Sequence, residues 1–210
     1  MNLSFKQYRA IDLGIMLVIL AVSEVLITHA ATVWFPDEFY VLSPTVAIVC
    51  IVMMRWGGYA AIHAAGGGLA LCLASGAEPK QFAVYCAGNC FALIALILLK
   101  ALGKEKVRTK PFLSAVFTVI AFCGAQIGRW LVGLFMGGSV GDIIMFFTTD
   151  SLSLVFALLI VLIARRINGL FEDQLTYLRR TQAERNKQQM PDYGDTEYGE
   201  GSDTYKNNEF

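Results

Sequence analysis

Apolar residues run in long blocks over the first 170 positions, and the blocks are separated by short stretches of charge, glycine or proline. A helix needs roughly 20 apolar residues to cross a bilayer core of about 30 Å. Six blocks approach that length: 11–34, ended by Pro36; 40–54, short and with Pro44 near its start; 56–75, after a tight break around Arg55; 82–102; 111–136, opened by Pro111 and closed by Gly137 and Gly138; and 143–163. The pattern predicts an all-α polytopic membrane protein whose six transmembrane helices occupy residues 1–170. Asp12 and Glu24 interrupt the first block, which is also longer than a signal-peptide core, so it reads as a retained span.

Past Arg166, the apolar positions Ile167, Leu170, Phe171, Leu175 and Leu178 keep helical spacing between charges. This predicts that the sixth helix continues as a one-sided cytoplasmic extension over 171–187. Residues 188–210 are rich in Asp, Glu, Gly, Asn and Tyr without periodicity, and are expected to form a disordered acidic tail. Tyr193, Tyr198 and Tyr205 fall in it, and a solvated tail is the simpler reading of them.

Basic residues in short loops mark the cytoplasmic side. With the N-terminus inside, the inner segments hold Lys6, Arg9, Arg55, Lys100, Lys104, Lys106, Arg108, Lys110, Arg165 and Arg166. The outer loops hold Lys80 beside Asp37, Glu38, Glu78 and Asp142. Both termini are therefore expected in the cytoplasm, and the location is a cell membrane, bacterial cytoplasmic in type.

Composition sharpens this. Of 210 residues, 56% are hydrophobic and 16% charged, against roughly 45–50% and 25% in soluble domains. The 17 basic and 17 acidic residues cancel, so net charge offers no nucleic-acid partner. Cys50, Cys72, Cys86, Cys90 and Cys123 all lie in apolar blocks and read as small buried hydrophobes. Cys86 and Cys90 are one helical turn apart, but no second His or Cys pair completes a metal site. No His-Glu-x-x-His motif and no phosphate-binding loop occur. Ser139 and His63 lie at depths too different for a nucleophile–base dyad. Neither catalysis, nor a metal, nor a cofactor is expected.

Ionisable groups at bilayer depth are costly, and they face a bundle interior or a watery cavity. Counting inward from each outer end at ~1.5 Å per residue puts Asn89, Arg129 and Asp150 ~11 Å deep, Gln126 and Glu24 ~15 Å, and His29 ~8 Å. Gln126 and Arg129 share a helix face, as do Tyr85 and Asn89. These residues, with Trp130, form the candidate substrate site: a cup open to the outside, roofed by Trp34, Phe35, Phe39 and Tyr40. In it Arg129 would grip a carboxylate or phosphate, and Glu24 or Asp150 would take an amine. His63 reads as a packed histidine, and Asp12 as a group reaching the inner interface. The polar layer stops near the midplane, which excludes a continuous channel.

Helix three carries small residues in two four-residue ladders: Gly57, Ala61 and Ala65, and Ala60, Ala64 and Gly68. Such ladders let backbones approach closely, for packing within the bundle or for docking a partner. The basic stretch 104–110 would meet anionic lipid.

Six spans in about 170 residues, a short second helix, and the glycine-broken third segment MMRWGGYAAIHAAGGGLALCLASG resemble the S-component of energy-coupling-factor vitamin transporters. The resemblance implies high-affinity capture of a small water-soluble vitamin or related nutrient from outside. It also implies association with a transmembrane coupling protein and ATPase subunits that drive release inward. Where that family often carries Ala-x-x-x-Ala on helix one, this chain has Ala10 and Gly14 at the same spacing. A second class with the same layout is a structural protein of cell-envelope assembly, of the rod-shape-determining type. In that class the helix-three ladder and the 170–186 stretch would matter, and the polar layer would not.

Overall fold

The computed structural model describes residues 4–35 and 41–189, and within them the chain is all-helical without strands. The expectations for Phe39 and Tyr40 as a roof, and for the 190–210 portion of the tail, lie outside the described residues. Two compact units divide the chain, Met1–Tyr177 and Leu178–Phe210.

Ten α-helices make up the described chain: α1 (Phe5–Trp34), α2 (Thr45–Trp56), α3 (Ala60–Ser75), α4 (Pro79–Asn89), α5 (Ala95–Leu102), α6 (Lys104–Thr109), α7 (Pro111–Phe135), α8 (Asp142–Thr149), α9 (Ser151–Ala164) and α10 (Gln174–Gln189). Phe5–Trp34, Thr45–Ser75, Pro79–Leu102 and Pro111–Phe135 are long and apolar enough to cross a membrane, and the bent pair α8–α9 makes a fifth candidate. Several long apolar helices of this kind suggest a membrane-embedded protein.

Local chemistry explains the boundaries. Ser4 caps α1 through the Gln7 N–H while the Gln7 side chain returns to the Ser4 N–H. Pro79 and Pro111 open α4 and α7 at positions where the missing N–H costs nothing. Between α2 and α3 the chain turns at Gly57, whose φ of 62° and ψ of −124° suit only glycine.

That turn makes 45–75 a hairpin. Thr45, at the start of α2, hydrogen-bonds Glu24 on α1, whereas Arg55 near its end bonds Asp12. On α3, His63 approaches the Leu13 carbonyl and Gly66 packs on Leu17, so α3 ascends beside α1 as α2 descends. At ~1.5 Å per residue α2 is only ~18 Å long, less than a bilayer core. It survives because it is central: every residue from Thr45 to Arg55 is buried, against α1, α3, α7 and α9.

The second pillar is α7. Gly124, Gly128 and Gly88 allow α4 and the 3-10 turn after it to lie directly on α7. A Cβ on Gly88 would meet the Arg129 backbone at 2.6 Å, and one on Gly128 would collide with the Gly88 carbonyl. The small residues of α3 are spent the same way, Gly68 on the Tyr85 backbone and Gly67 on Thr45. Ala60 and Ala64 are buried, whereas Gly57, Ala61 and Ala65 are half-buried. Internal packing thus accounts for the Ala60–Ala64–Gly68 ladder.

Past Ala164 the expected continuous extension is replaced by a break. Turns run through residues 165–173, Gly169 adopts φ 76°, and α10 starts afresh at Gln174. The turn segment folds back on the bundle, burying Phe171 edge-on against Phe117.

Candidate functional site

Asn89, Gln126, Arg129 and Asp150 come together from α4, α7 and the α8–α9 kink. The Arg129 Nε donates to Asn89 Oδ1 at 2.7 Å, and its Nη1 donates to Asp150 Oδ2 at 2.6 Å and to Gln126 Oε1 at 3.3 Å. Gln126 Nε2 closes the ring by donating to the same Asp150 oxygen at 2.5 Å. Asn89 is fixed from behind by donating to the Ala64 carbonyl. The guanidinium carbon lies 4.8 Å from the centre of the Tyr85 ring, a cation–π contact. All four polar residues are at most 2% exposed.

The helices deliver this geometry in two ways. Gly88 and Gly128 bring the α4 and α7 backbones into contact, so Asn89 and Arg129, each the next residue along, meet. At Asp150 the chain bends by 45° between α8 and α9, which turns the carboxylate inward while Leu152 continues the wall.

Glu24 belongs to the same end of the bundle. It is fully buried, and its Oε2 accepts from the hydroxyls of Ser43 and Thr45, both at 2.9 Å. Ser43 is held in turn by Ser153, which accepts from the Ser43 N–H at 2.8 Å and donates to the Val41 carbonyl. The other oxygen, Oε1, has no hydrogen-bond partner among the described residues, nor do Thr28 Oγ1 and Asp150 Oδ1. Unpaired buried acceptors of this kind are rare and call for an explanation.

Beside them lies a cavity of about 720 Å³. It is lined mainly by apolar side chains, among them Ile27, Trp34, Phe35, Leu42, Leu71 and Leu152, with Thr28, Thr32 and Ser75 as its polar groups. Thr32 and Ser75 donate to carbonyls of their own helices, so Thr28 is the polar wall group with an unspent hydroxyl. Thr28 is one turn from Glu24 on the same face of α1.

Several expected members are elsewhere. His29 is exposed and does not line the cavity, because one residue beyond Thr28 rotates it about 100° around the helix. Trp130 is half-buried and donates its indole N–H to the Val140 carbonyl, tying down the loop after α7 rather than roofing a cup. Arg129 already donates Nε and Nη1 within the network and does not line the cavity. Ala10 and Gly14 lie on an exposed face of α1, with nothing within 4 Å of a Cβ placed on Gly14. Trp34 and Phe35 do join the cavity wall.

Ser43, Thr45, Thr28 and Ser153 were missed, because short hydroxyl side chains in apolar blocks do not stand out from helix-compatible filler. Gly124-x-x-x-Gly128 on α7 was a readable signal of close approach.

A second polar centre lies at the opposite end. Asp12 receives Arg55 in a two-pronged bond (Nε to Oδ2 at 3.0 Å, Nη2 to Oδ1 at 2.5 Å) and the Trp56 indole N–H. Arg55 Nη1 also donates to the carbonyls of Gly169 and Leu170, pinning the turn segment. Arg55 is a buried cross-link rather than a loop charge, and the part-buried Asp12 is its partner. In the basic stretch, Lys104 pairs with Asp173 and Arg108 with Glu105 and Glu172, so part of its charge is already neutralised. Among the described residues no cluster of three His, Cys, Asp or Glu side chains could hold a metal.

The chain matches no family model, no curated protein and no solved structure.

Proposed function

We propose that this chain is a substrate-capture subunit of the energy-coupling-factor type, taking a small water-soluble nutrient from outside the cell without catalysing a reaction on it. In this reading the hairpin α2–α3 and the bent pair α8–α9 each enter the membrane, giving six spans with both termini cytoplasmic. The Glu24–Arg129 end then faces outward and the Asp12–Arg55 end faces the cytoplasm, as the loop charges require.

One observation carries the reading: a 720 Å³ cavity whose wall includes an unspent hydroxyl, with a buried half-paired carboxylate one turn away. Concave, largely apolar sites with few oriented polar groups are what small-molecule binding needs. Thr28 is the polar wall contact of that site, Glu24 lies one turn behind it, and the Arg129 network braces α4, α7 and the α8–α9 bend at the same end of the bundle. A coupling protein and ATPase subunits would supply the energy for release, and the apolar face of α1 that carries Ala10 and Gly14 is open for such a partner.

The experiment is ligand retention. The full-length chain, purified from cells grown in rich medium, is extracted and its small molecules identified by mass spectrometry. Each candidate is then added back during thermal unfolding, since a ligand that binds the folded state alone raises the midpoint. A vitamin-like solute that co-purifies and raises the midpoint supports capture.

The Arg129 network, bonded among its own four residues, also suits a scaffold protein of envelope assembly. If no solute co-purifies or stabilises, while disruption of the turn segment 165–173 abolishes function in cells, that second reading replaces the first.

A further inference from the structure

Phe91, Ile94, Ile97 and Lys100 recur every three residues along the 3-10 turn Cys90–Ile94 and α5, and all four are exposed. Residues three apart are neighbours on a helix surface. A slanting apolar stripe therefore runs along this face and ends in an ammonium. It belongs to Pro79–Leu102, a segment long and apolar enough to cross a membrane.

Beside Lys100 is a pocket of about 280 Å³, lined by Gly57, Gly58, Leu96, Leu99, Lys100 and Lys104. It lies between the turn that joins α2 to α3 and the turn that joins α5 to α6. A Cβ placed on Gly57 or Gly58 would have nothing within 4 Å, so the first turn leaves its side of the pocket open. We propose that an acidic phospholipid binds here, with its phosphodiester at Lys100 in the mouth of the pocket and an acyl chain along Ile97, Ile94 and Phe91. The proposal takes only that the apolar helices lie in a bilayer, and it is independent of solute capture.

Charge complementarity selects this occupant. Lys104 is bonded to Asp173, and Arg108 to Glu105 and Glu172, so the carboxylates of the adjoining segments are engaged. The Lys100 ammonium has no ion pair or hydrogen bond among the described residues. Arg165 donates to the carbonyls of Arg108 and Thr109, which brings exposed Arg166 to the same end as exposed Lys106 and Lys110. These cations keep the local potential positive, and basic pockets at the ends of spanning helices suit acidic headgroups. A zwitterionic headgroup brings its own cation and gains less. A free phosphate meets the same ammonium but leaves the apolar stripe uncovered. The lipid contact expected of 104–110 is thus centred on Lys100, because Lys104 and Arg108 are committed within the protein.

The test is thermal unfolding of the purified full-length chain in detergent, titrated with phosphatidylglycerol, with phosphatidylcholine of the same acyl chains, or with inorganic phosphate. A ligand of the folded state raises the midpoint in a saturable way. The expected result is such a rise with phosphatidylglycerol and little with the other two. Lys100→Gln should weaken phosphatidylglycerol at least fivefold, whereas Lys106→Gln, an exposed cation away from the pocket, should change it less than twofold. Both side chains are exposed, and both variants should unfold like the parent without lipid. Equal stabilisation by phosphatidylcholine overturns the role of charge, and equal stabilisation by inorganic phosphate overturns the lipid. Equal losses in the two variants make the attraction diffuse and overturn the site. A lower lipid-free midpoint in Lys100→Gln with unchanged lipid affinity makes Lys100 a partner of the α5 C-terminus, and overturns it as well.

Discussion

The two buried charge centres of this chain differ in how completely they are paired. At the Asp12 end both carboxylate oxygens are filled, by Arg55 and Trp56, and Arg55 reaches two further carbonyls. At the Arg129 end the guanidinium donates through Nε and Nη1 alone, Asp150 and Glu24 each keep an oxygen without a partner among the described residues, and a cavity lies nearby. Closed networks of the first kind hold helices together. An incomplete one near open space is what the capture reading requires. The comparison separates glue from site more sharply than the presence of charge does.

The comparison breaks most visibly at Arg129. Arg129→Ala leaves Asp150 buried without a counter-charge, and loss of one partner of such a pair costs about 3–5 kcal/mol. Thermal or denaturant unfolding in detergent measures it. The double variant Arg129→Met with Asp150→Leu, which removes both charges, should recover most of that loss. If the single and double variants are equally destabilised, the pair is not the source of the effect.

Next comes Arg55→Ala. It frees Asp12 and Trp56 at a part-buried site and releases the Gly169–Leu170 turn, with an expected loss of about 1–3 kcal/mol. Its signature is local: hydrogen exchange should rise in residues 165–173 before it rises in α7. Gly128→Ala should cost about 1–3 kcal/mol by overpacking against Gly88 and Phe91. It should also loosen the Asn89–Arg129 bond, because both residues ride on that contact.

A smaller effect is tied to pH. Burial alone would raise the Asp173 carboxyl, but the bond and charge of Lys104, with help from Thr176, outweigh it and hold Asp173 below its ordinary value of 3.8. A depressed carboxyl stabilises the folded form fully above that ordinary value and loses its contribution as pH falls through the lower folded value. Hydrogen exchange of residues 165–173 should therefore speed up only below about pH 4. Asp173→Asn should exchange fast at every pH and lose the acid step. Smallest of all, Gly14→Ala should move stability by no more than about 0.5 kcal/mol, since nothing lies near the added carbon.

Hydrophobic blocks located the long helices, because burial in lipid or protein imposes the same apolar requirement along the whole length; α1 nevertheless begins six residues before its block, and the last block is bent at Asp150. Depth counting placed Asn89, Gln126, Arg129 and Asp150 in one layer, and they are bonded to each other. Helical phase was harder to read for lone residues. His29 and Thr28 are adjacent, and one faces away while the other lines the cavity. Trp130 follows Arg129 and turns toward a loop. The break after Ala164 was invisible to periodicity, because Ile167, Leu170 and Phe171 keep a helical rhythm while Gly169 and the Arg55 cross-link impose a turn. Pairing across helices, such as Asp12 with Arg55 or Glu24 with Ser43 and Thr45, depends on tertiary neighbours that no local pattern contains.

The brevity of α2 has a consequence for the membrane itself. A helix of ~18 Å facing lipid would pinch the bilayer or pull polar ends into hydrocarbon, at a cost that grows with each ångström of mismatch. Enclosed by α1, α3, α7 and α9, it never presents its length to lipid. Thickness matching falls to longer helices such as the 30-residue α1, which adjusts by tilting. The Glu24–Arg129 end is thereby insulated from lipid composition, and on the capture reading affinity should be the same in thin and thick bilayers.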